Sequence, residues 1–290
     1  MILARLLSKE LLGLGITSIY SKRDNLQRIA VDALVRELRL KEGGFQGKAR
    51  REELGIRIIS GKGEERAQAT LSQEGREVLK EFPKTPVFIV DLGFWDYHSE
   101  KEKKRLYVQV LSSVDAVRRY LWDYNLSLNH SPFKLTTIPN KVRYDVEPSG
   151  KAVVLNPYGD VVATEELLRS ADTFILGGIV DESGWKGATT ALSERFGYNF
   201  LQVRIELRGS RVGVPDRINK IIEIVMEVRE GKSLEDAIID NQSSADKYLR
   251  ILRDGNSEET GKWLRASEKV IKKAERVLSR TRPGSSSSPQ

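Results

Sequence analysis

The segment FILGGIVDESGWKG, residues 174–187, combines residue types that could bind a ligand and act on it. Its apolar start predicts a strand buried on both faces, and the adjacent Gly177 and Gly178 mark a place where a backbone or a ligand comes close. The segment then reaches a carboxylate, Asp181, and Lys186 opens the next turn. Because open α/β sheets bind ligands at the carboxyl ends of their strands, we expect a functional site here. The alternative is a core strand followed by a solvated turn.

Composition limits the chemistry that such a site can use. The 290-residue chain contains no cysteine and two histidines, His98 and His130, which argues against disulfides, a thiolate zinc site, a cysteine nucleophile or a dedicated metal site. No apolar run reaches the ~20 residues of a membrane helix, and the charged N-terminal stretch does not resemble a signal peptide. We therefore expect a cytoplasmic protein.

Charge is distributed unevenly along the chain. Residues 1–82 carry 16 Lys and Arg against 12 Asp and Glu, residues 83–243 carry 21 against 23, and residues 244–290 carry 11 against 6. Basic flanks around a near-neutral middle indicate that the flanks hold a polyanion, although small basic excesses also occur on ordinary surfaces. We therefore divide the chain into a basic N-terminal accessory RNA-binding domain (1–82), a middle domain (83–243) and a basic helical C-terminal domain with a disordered tail (244–290).

Strands and helices alternate through the middle domain. Short apolar runs predict strands, and apolar residues three and four apart predict helices between them. The predicted strands are Val87–Val90, Phe133–Ile138, Lys151–Leu155, a strand that begins at Phe174, and Phe200–Leu207, and the predicted helices are Lys101–Trp122, Ala188–Phe196 and Asp216–Arg229. This alternation predicts an α/β fold with a mostly parallel sheet and helices on both of its faces.

The N-terminal domain is predicted to be a small α+β unit. Residues 1–40 form two helices, the second of which is capped by Asp24. The glycine-rich basic segment Lys41–Arg51 is expected to be a loop, followed by a strand at Ile56–Ile59. A serine within LSQE then predicts the cap of a short helix that ends near Phe82.

The C-terminal domain is predicted to present a basic helix face. Residues 258–280 have the spacing of one amphipathic helix, with Trp263 and Val270 on its apolar side. The opposite side carries six cations, for which contact with an RNA backbone is favoured over simple solvation. These cations are Lys262, Arg265, Lys269, Lys272, Arg276 and Arg280.

Residues 87–243 resemble the SPOUT superfamily of methyltransferases, and within it the tRNA (purine-N1) methyltransferases that act at position nine, especially the archaeal ones. The motifs that carry the resemblance, in chain order, are DLGFWDYHSEKEKKRLYVQVLSSVDAVRR, AVVLNPYGD, LGGIVDESGWKG and RGSRVGVPDRINKIIEIVMEV. The resemblance implies a deep trefoil knot, S-adenosyl-L-methionine as methyl donor, tRNA as partner and a monomer. The implied donor-binding residues are Leu155, Asn156, Pro157, Gly177, Gly178, Ile179, Lys186, Gly187, Val203, Ile205, Val212, Gly213 and Val214.

The resemblance also implies a role for Asp181. N1 of guanosine carries a proton that a general base must remove, whereas N1 of adenosine has a free lone pair. Asp181 would be that base with guanosine, and with adenosine it would accept from the exocyclic amine and stabilise the charged product. Adenosine is favoured because the match is nearest to archaeal members with that activity. The implied RNA-contacting residues are Lys104, Arg105, Gln109 and Arg118, in addition to Lys262, Arg265, Lys269, Lys272 and Arg276 of the C-terminal domain.

Two other functions remain open at this point. The chain could be a non-enzymatic nucleic-acid-binding protein with a winged-helix-like N-terminal reader, which would bind no methyl donor. It could also be a SPOUT enzyme that acts on ribosomal RNA. Asp216 is expected to be the N-terminal cap of a helix and not a catalyst.

Overall fold

The structure is a computed structural model that describes residues 1–180 and 186–281. The N-terminal part contains two helices and three strands: α1 (Ile2–Gly13), β1 (Ser18–Tyr20), α2 (Leu26–Val35), β2 (Arg39–Glu53) and β3 (Ile56–Ser72). The strands form a sheet in the order β1-β3-β2, in which β2 and β3 pair as a long antiparallel hairpin. The glycine-rich basic segment predicted as a loop is therefore most of β2, and that prediction was wrong.

Two further local predictions fail in this part. Asn25 and not Asp24 caps α2, because its side chain accepts a hydrogen bond from the N–H of Arg28 at 2.9 Å. The helix expected before Phe82 is absent from the described structure. The N–H of Leu79 donates instead to Glu10 of α1 at 2.8 Å, and the Leu79 side chain is buried in the N-terminal core. Tertiary contacts thus override a local capping signal.

The middle part is built on a parallel sheet. Its elements are β4 (Val87–Asp91), α3 (Glu100–Arg118), β5 (Leu126–Asn129), β6 (Arg143–Tyr144), β7 (Ala152–Leu155), β8 (Val161–Val162), α4 (Glu165–Ser170), β9 (Thr173–Gly177), α5 (Ala188–Arg195), β10 (Leu201–Arg204) and α6 (Ile218–Arg229). Within the described residues seven strands form one sheet in the order β6-β5-β4-β9-β7-β10-β8, and the pairings are parallel. The α/β fold with a parallel sheet is confirmed.

The strand predicted at Phe133–Ile138 is wrong. The strand next to β4 is β5, whose residues are all buried and pair in register from Phe88↔Leu126 onward. Phe133 lies outside the sheet, where its ring packs edge-on against Trp95 at 5.0 Å and Tyr107 at 5.2 Å. An apolar segment that packs outside a sheet can have the same local pattern as a strand within it.

The C-terminal part consists of four helices in the described chain: α7 (Leu234–Asn241), α8 (Ser244–Asp254), α9 (Ser257–Trp263) and α10 (Glu268–Thr281). The single helix predicted over 258–280 is wrong, because the chain breaks between α9 and α10, where Arg265 has a φ of 52°. Gly261 lies so close to Ile271 that a Cβ on it would be 2.6 Å from that side chain. The two short helices therefore pack against each other.

Two main hydrophobic cores result. One lies within the N-terminal part and also takes in Trp122 from the middle part. The other spans the central sheet, α3 and α6, and it continues without interruption into the C-terminal helices through Ile251, Leu264 and Ala274. Across the described ranges, no helix combines the length and the apolar character needed to cross a bilayer.

Candidate functional site

A cleft of about 1110 Å³ lies at the carboxyl ends of the central strands. Leu155 of β7 pairs with Leu176 of β9 on one side and with Val203 of β10 on the other, so the three strands end at the same level. All three side chains line the cleft, and the N-terminal ends of α5 and α6 border it. Neighbouring parallel strands thus bring distant parts of the sequence to one edge of the sheet, where such folds bind ligands.

Most of the predicted donor-binding residues meet in this cleft. Those that line it are Leu155, Asn156, Pro157, Gly177, Ile179, Lys186, Gly187, Val203, Ile205 and Val214. Three of the predicted RNA-contacting residues, Lys104, Arg105 and Gln109 of α3, line the same cleft. Gly178, Val212 and Gly213 do not line it. The two glycines instead lie against other parts of the protein, Gly178 against Asp91 and Leu92 and Gly213 against Arg250.

The paired glycines allow backbones to cross closely. The N–H of Gly178 donates to the carbonyl of Asp91 at 2.7 Å. A Cβ on Gly178 would lie 2.5 Å from Leu92 and 2.7 Å from that same carbonyl oxygen, so a larger residue would force the strands apart. A Cβ on Gly177 would lie 3.0 Å from Ile179 and 3.2 Å from the Thr189 hydroxyl. Glycine is needed at 178 for backbone approach, which is one of the two roles that the sequence pattern predicts.

The turn after β7 is fixed by a buried asparagine. The Asn156 side chain is 2% exposed and donates to the Thr190 hydroxyl at 2.9 Å and to the side-chain oxygen Oε1 of Gln202 at 3.0 Å. Its own side-chain oxygen accepts from the N–H of Tyr158 at 2.9 Å. Asn156 therefore ties the turn to α5 and β10 and fixes this part of the cleft wall. Sequence reasoning missed Thr190 and Gln202, which have no local signal.

Asp181 lies outside the described residues. The last described residue before it, Val180, donates its N–H to Nε2 of His98 at 3.0 Å. Nδ1 of His98 lies 2.9 Å from the carbonyl of Phe94, so Nδ1 carries the proton and Nε2 accepts. The histidine is 9% exposed and thus anchors the chain immediately before Asp181.

A second carboxylate, Asp91, ends β4 beside this segment and is fully buried. One of its oxygens accepts from the N–H of Gly93 at 2.8 Å. The other contacts Nδ1 of His130 at 2.8 Å and the hydroxyl of Tyr198 at 2.5 Å. Burial, followed by the hydrogen bond to Asp91, raises the pKa of Tyr198 well above its usual value, so the phenol stays a donor. These bonds give Asp91 a structural role in closing this side of the sheet edge.

Helix α3 contributes structural contacts as well as cations. The side-chain oxygen of Gln109 accepts from the N–H of Ile218 at 3.1 Å and so caps α6. The N-cap residue of α6 is Arg217, so the prediction that Asp216 caps it was wrong, although Asp216 does line the cleft. Arg118 makes a bidentate pair with the buried Asp123 at 2.6 and 2.7 Å, and this holds its guanidinium in a structural contact.

The predicted C-terminal cations do not form one stripe. Lys262 on α9 pairs with Glu258 at 2.7 Å, and Lys272 pairs with Glu268 at 3.2 Å. Arg265 lies in the break between α9 and α10 and binds two acids of α7, Asp236 and Asp240. Three other cations are exposed along α10: Lys269, Arg276 and Arg280. The predicted basic face is thus reduced to α10.

Comparisons with known proteins agree with this arrangement. Profiles of the tRNA (adenine(9)-N1)-methyltransferase N-terminal and C-terminal domains match residues 1–72 and 243–277. The chain is 40% identical over 282 residues to the tRNA (adenine(9)-N1)-methyltransferase of Sulfolobus acidocaldarius, covering 93% of this chain and 97% of that one. The crystal structure of Sulfolobus acidocaldarius Trm10 in complex with S-adenosylhomocysteine superimposes with a TM-score of 0.81 at 37% identity, over 96% of this chain and 99% of that one.

A second relative is similar over a shorter stretch. The tRNA (guanine(9)-/adenine(9)-N1)-methyltransferase of Thermococcus kodakarensis is 32% identical over 196 residues, which is 61% of this chain and 53% of that protein. The similarity to the Sulfolobus protein, by contrast, runs through both flanking parts and the central sheet. The chain therefore belongs to the tRNA (adenine(9)-N1)-methyltransferase family.

Proposed function

We propose that this protein transfers a methyl group from S-adenosyl-L-methionine to N1 of the purine at position 9 of tRNA, with adenosine as the favoured base. The observation that carries the proposal is the coincidence of two independent results. The family similarity covers 93% of the chain, and most of the residues expected to hold the donor meet in one cleft at the edge of the sheet. A non-enzymatic nucleic-acid-binding protein would have no need of such a cleft.

The residues of the cleft fit the donor. Apolar side chains from three neighbouring strands and the following loop offer a surface for adenine, and they include Leu155, Val203, Ile205 and Val214. Gly177 leaves room where a side chain would meet Ile179 and Thr189. When bound, S-adenosylmethionine supplies an electrophilic methyl group. The residues of this chain hold and orient it, and Lys104 and Lys186 add positive charge to the same cleft.

Asp181 is the proposed catalytic residue, and His98 holds the backbone next to it. With guanosine, the carboxylate takes the N1 proton. With adenosine, it accepts from the exocyclic amine and stabilises the positive charge that develops on the base. His98 holds the backbone of Val180, the residue that precedes Asp181 in the chain, through the hydrogen bond to its N–H.

We further propose that the chain forms a trefoil knot around the cleft. Strand β10 lies between β7 and β8, which precede it in the chain and are joined by a short turn. In that turn a Cβ on Gly159 would lie 2.5 Å from the backbone of Gln202, and Arg204 donates to the carbonyls of Gly159 and Asp160 at 2.8 Å. The contact supports the passage of β10 beneath the turn, so glycine is needed where the two segments cross.

The two flanking parts are proposed to hold the tRNA while the middle part performs the reaction. Position 9 must leave its stack to reach the cleft, at a cost of a few kcal/mol. Phosphate contacts from the long N-terminal hairpin and from α10 offset that cost. Because both flanks belong to one chain, we propose that the protein acts as a cytoplasmic monomer.

The test is transfer of labelled methyl from S-adenosylmethionine to unmodified tRNA transcripts that carry A, G or a pyrimidine at position 9. We expect methylation of the A9 transcript and none of the pyrimidine transcript. Asp181→Asn should abolish any transfer to G9, because the general base is lost. The same variant should reduce transfer to A9 by a smaller factor, because N1 of adenosine has no proton to remove. Asp216→Asn changes a carboxylate that lines the cleft and has no proposed catalytic role, and it serves as the matched control. Transfer to a ribosomal RNA transcript but not to tRNA would reject the proposal.

A further inference from the structure

The C-terminal helices touch the wall of the cleft from behind. The first ten residues of the loop between β10 and α6, 205–214, begin and end with cleft residues, Ile205 and Val214. Between them the chain folds back on itself, with two hydrogen bonds that join Leu207 and Ser210 at 2.7 and 3.2 Å. The position of this loop therefore determines the position of one wall of the proposed donor site. Its outer side faces α8, which belongs to the part matched by the C-terminal family profile.

A buried arginine of α8 fastens that loop. Arg250 is 3% exposed, and its Nη1 donates to the carbonyl of Leu207 at 2.6 Å and to that of Val212 at 3.3 Å. Its Nε donates to Asp254 at 2.8 Å, and its guanidinium lies 5.1 Å from the centre of the Trp263 ring. Burying a guanidinium is costly unless its donors are satisfied, and here two carbonyls accept from Nη1 and a carboxylate accepts from Nε. The two carbonyls stand at the start and near the end of the loop.

A second side chain, that of Gln242 between α7 and α8, holds the next residue of the loop. The side-chain amide of Gln242 donates to the carbonyl of Gly213 at 2.8 Å. Gly213 has a φ of 89°, and a Cβ on it would lie 2.8 Å from Cβ of Arg250. The backbone of 212 and 213 is therefore held by two side chains of the C-terminal region, immediately before Val214 enters the cleft.

We propose that Arg250 is a positioning residue for the methyl donor, through which the C-terminal helices set the affinity of the cleft for S-adenosylmethionine. The inference rests on the proposed function, because it takes the cleft as the donor site. It gives the C-terminal region a second task besides RNA contact. The exposed cations of α10 contact RNA, whereas the buried cation of α8 holds the donor wall.

The test is equilibrium binding of S-adenosylhomocysteine to the full-length protein by titration calorimetry. Arg250→Met removes all the donors, and we expect it to weaken binding about tenfold or more, since small displacements of a preorganised wall are costly. Arg250→Lys should fall between Arg250→Met and the wild type, because one ammonium cannot reproduce a planar fork that spans two carbonyls and a carboxylate. Arg253→Met is the matched control, because the exposed Arg253 pairs with the same Asp254 at 3.1 Å and its loss leaves both loop contacts of Arg250 in place, so this variant should bind as the wild type does.

A second variant and a second measurement separate positioning from folding. Gln242→Ala removes the other fastening without a buried charge, and we expect it to weaken binding less than Arg250→Met does. Thermal unfolding identifies folded variants, and filter binding of tRNA should change little for folded Arg250→Lys. Wild-type affinity for S-adenosylhomocysteine in folded Arg250→Lys and Gln242→Ala would overturn the inference and leave the proposed function intact. Failure of the wild-type protein itself to bind S-adenosylhomocysteine would overturn both.

Discussion

The N-terminal and C-terminal regions flank the same central sheet, yet they attach to it by different physical means. The N-terminal region buries its own hydrophobic core, which is built from α1, α2 and the hairpin and to which the middle part adds Trp122. The C-terminal helices have no separate core within the described chain, and their buried residues Ile251, Leu264 and Ala274 belong to the core of the central sheet.

Polar contacts follow the same division. The N-terminal region is joined to the middle part by a buried glutamine, Gln27, whose side-chain amide donates to the carbonyls of Arg118 and Leu121 at 3.1 and 3.0 Å. None of these three residues lines the cleft. The C-terminal region, in contrast, bonds to the loop that forms a cleft wall, through Arg250 and Gln242. The two basic flanks therefore differ in structure. The N-terminal flank is a separate unit attached to the middle part, whereas the C-terminal flank shares the core of the sheet and contacts a wall of the cleft.

Deleting each flank should give the largest effects on ligand binding and stability, and it tests directly whether the two flanks differ in this way. Removing residues 1–82 is expected to leave S-adenosylhomocysteine binding intact, because none of them lines the cleft and its core receives from them only the partly buried side chain of Ile2. Removing residues 243–290 should abolish cooperative unfolding and binding, since it exposes core side chains of the sheet and frees the loop held by Arg250. Calorimetry and thermal unfolding of both proteins measure this. Retained binding after the C-terminal deletion, with loss after the N-terminal one, would contradict the comparison.

Single core substitutions should show the same difference on a smaller scale. Ile29 of α2 and Ile251 of α8 are both fully buried, so Ile29→Ala and Ile251→Ala should each lower the free energy of unfolding by about 2–5 kcal/mol. Only Ile251→Ala is expected to weaken S-adenosylhomocysteine binding as well, because its cavity opens in the core that supports the cleft. Urea unfolding gives the stability and calorimetry the affinity. Equal losses of affinity in both variants would show that the two cores are coupled.

The parallel sheet and most of the cleft lining could be predicted from the sequence. Strands such as β4, β7 and β9 are short apolar runs with no competing pattern, and each ends at a turn or polar residue. The close approach of a neighbouring backbone to Gly178 was also predictable. Two adjacent glycines weaken a strand, so they indicate a position where a neighbouring backbone leaves no room for a side chain. The motifs of the family then placed the remaining cleft residues on these strand ends.

Other features could not be predicted because burial is a tertiary property. An arginine in the sequence of α8 is expected on a solvated helix face. Only the folded structure shows that Arg250 is buried against a loop about 40 residues earlier in the chain. The long basic hairpin was missed because its glycines and charges oppose a strand locally, whereas pairing with β3 along its length stabilises it. The strand predicted at Phe133–Ile138 was wrong for the opposite reason. Its residue types favour a strand locally, whereas Phe133 packs against Trp95 outside the sheet.

The smallest expected effect concerns the cations, and it sharpens the comparison within the C-terminal region. Arg276 is exposed on α10 and, among residues 1–180 and 186–281, makes no ion pair, whereas Lys262 is paired with Glu258. Arg276→Gln should weaken tRNA binding and lower the slope of log affinity against log salt by about one, as expected for the loss of one phosphate contact. Lys262→Gln should change the slope less, because its partner already screens the charge. Neither should alter S-adenosylhomocysteine binding, in contrast to Arg250→Met. If Arg276→Gln changed donor affinity and left the salt slope intact, the division between an RNA-facing surface on α10 and a donor-holding contact on α8 would have to be abandoned.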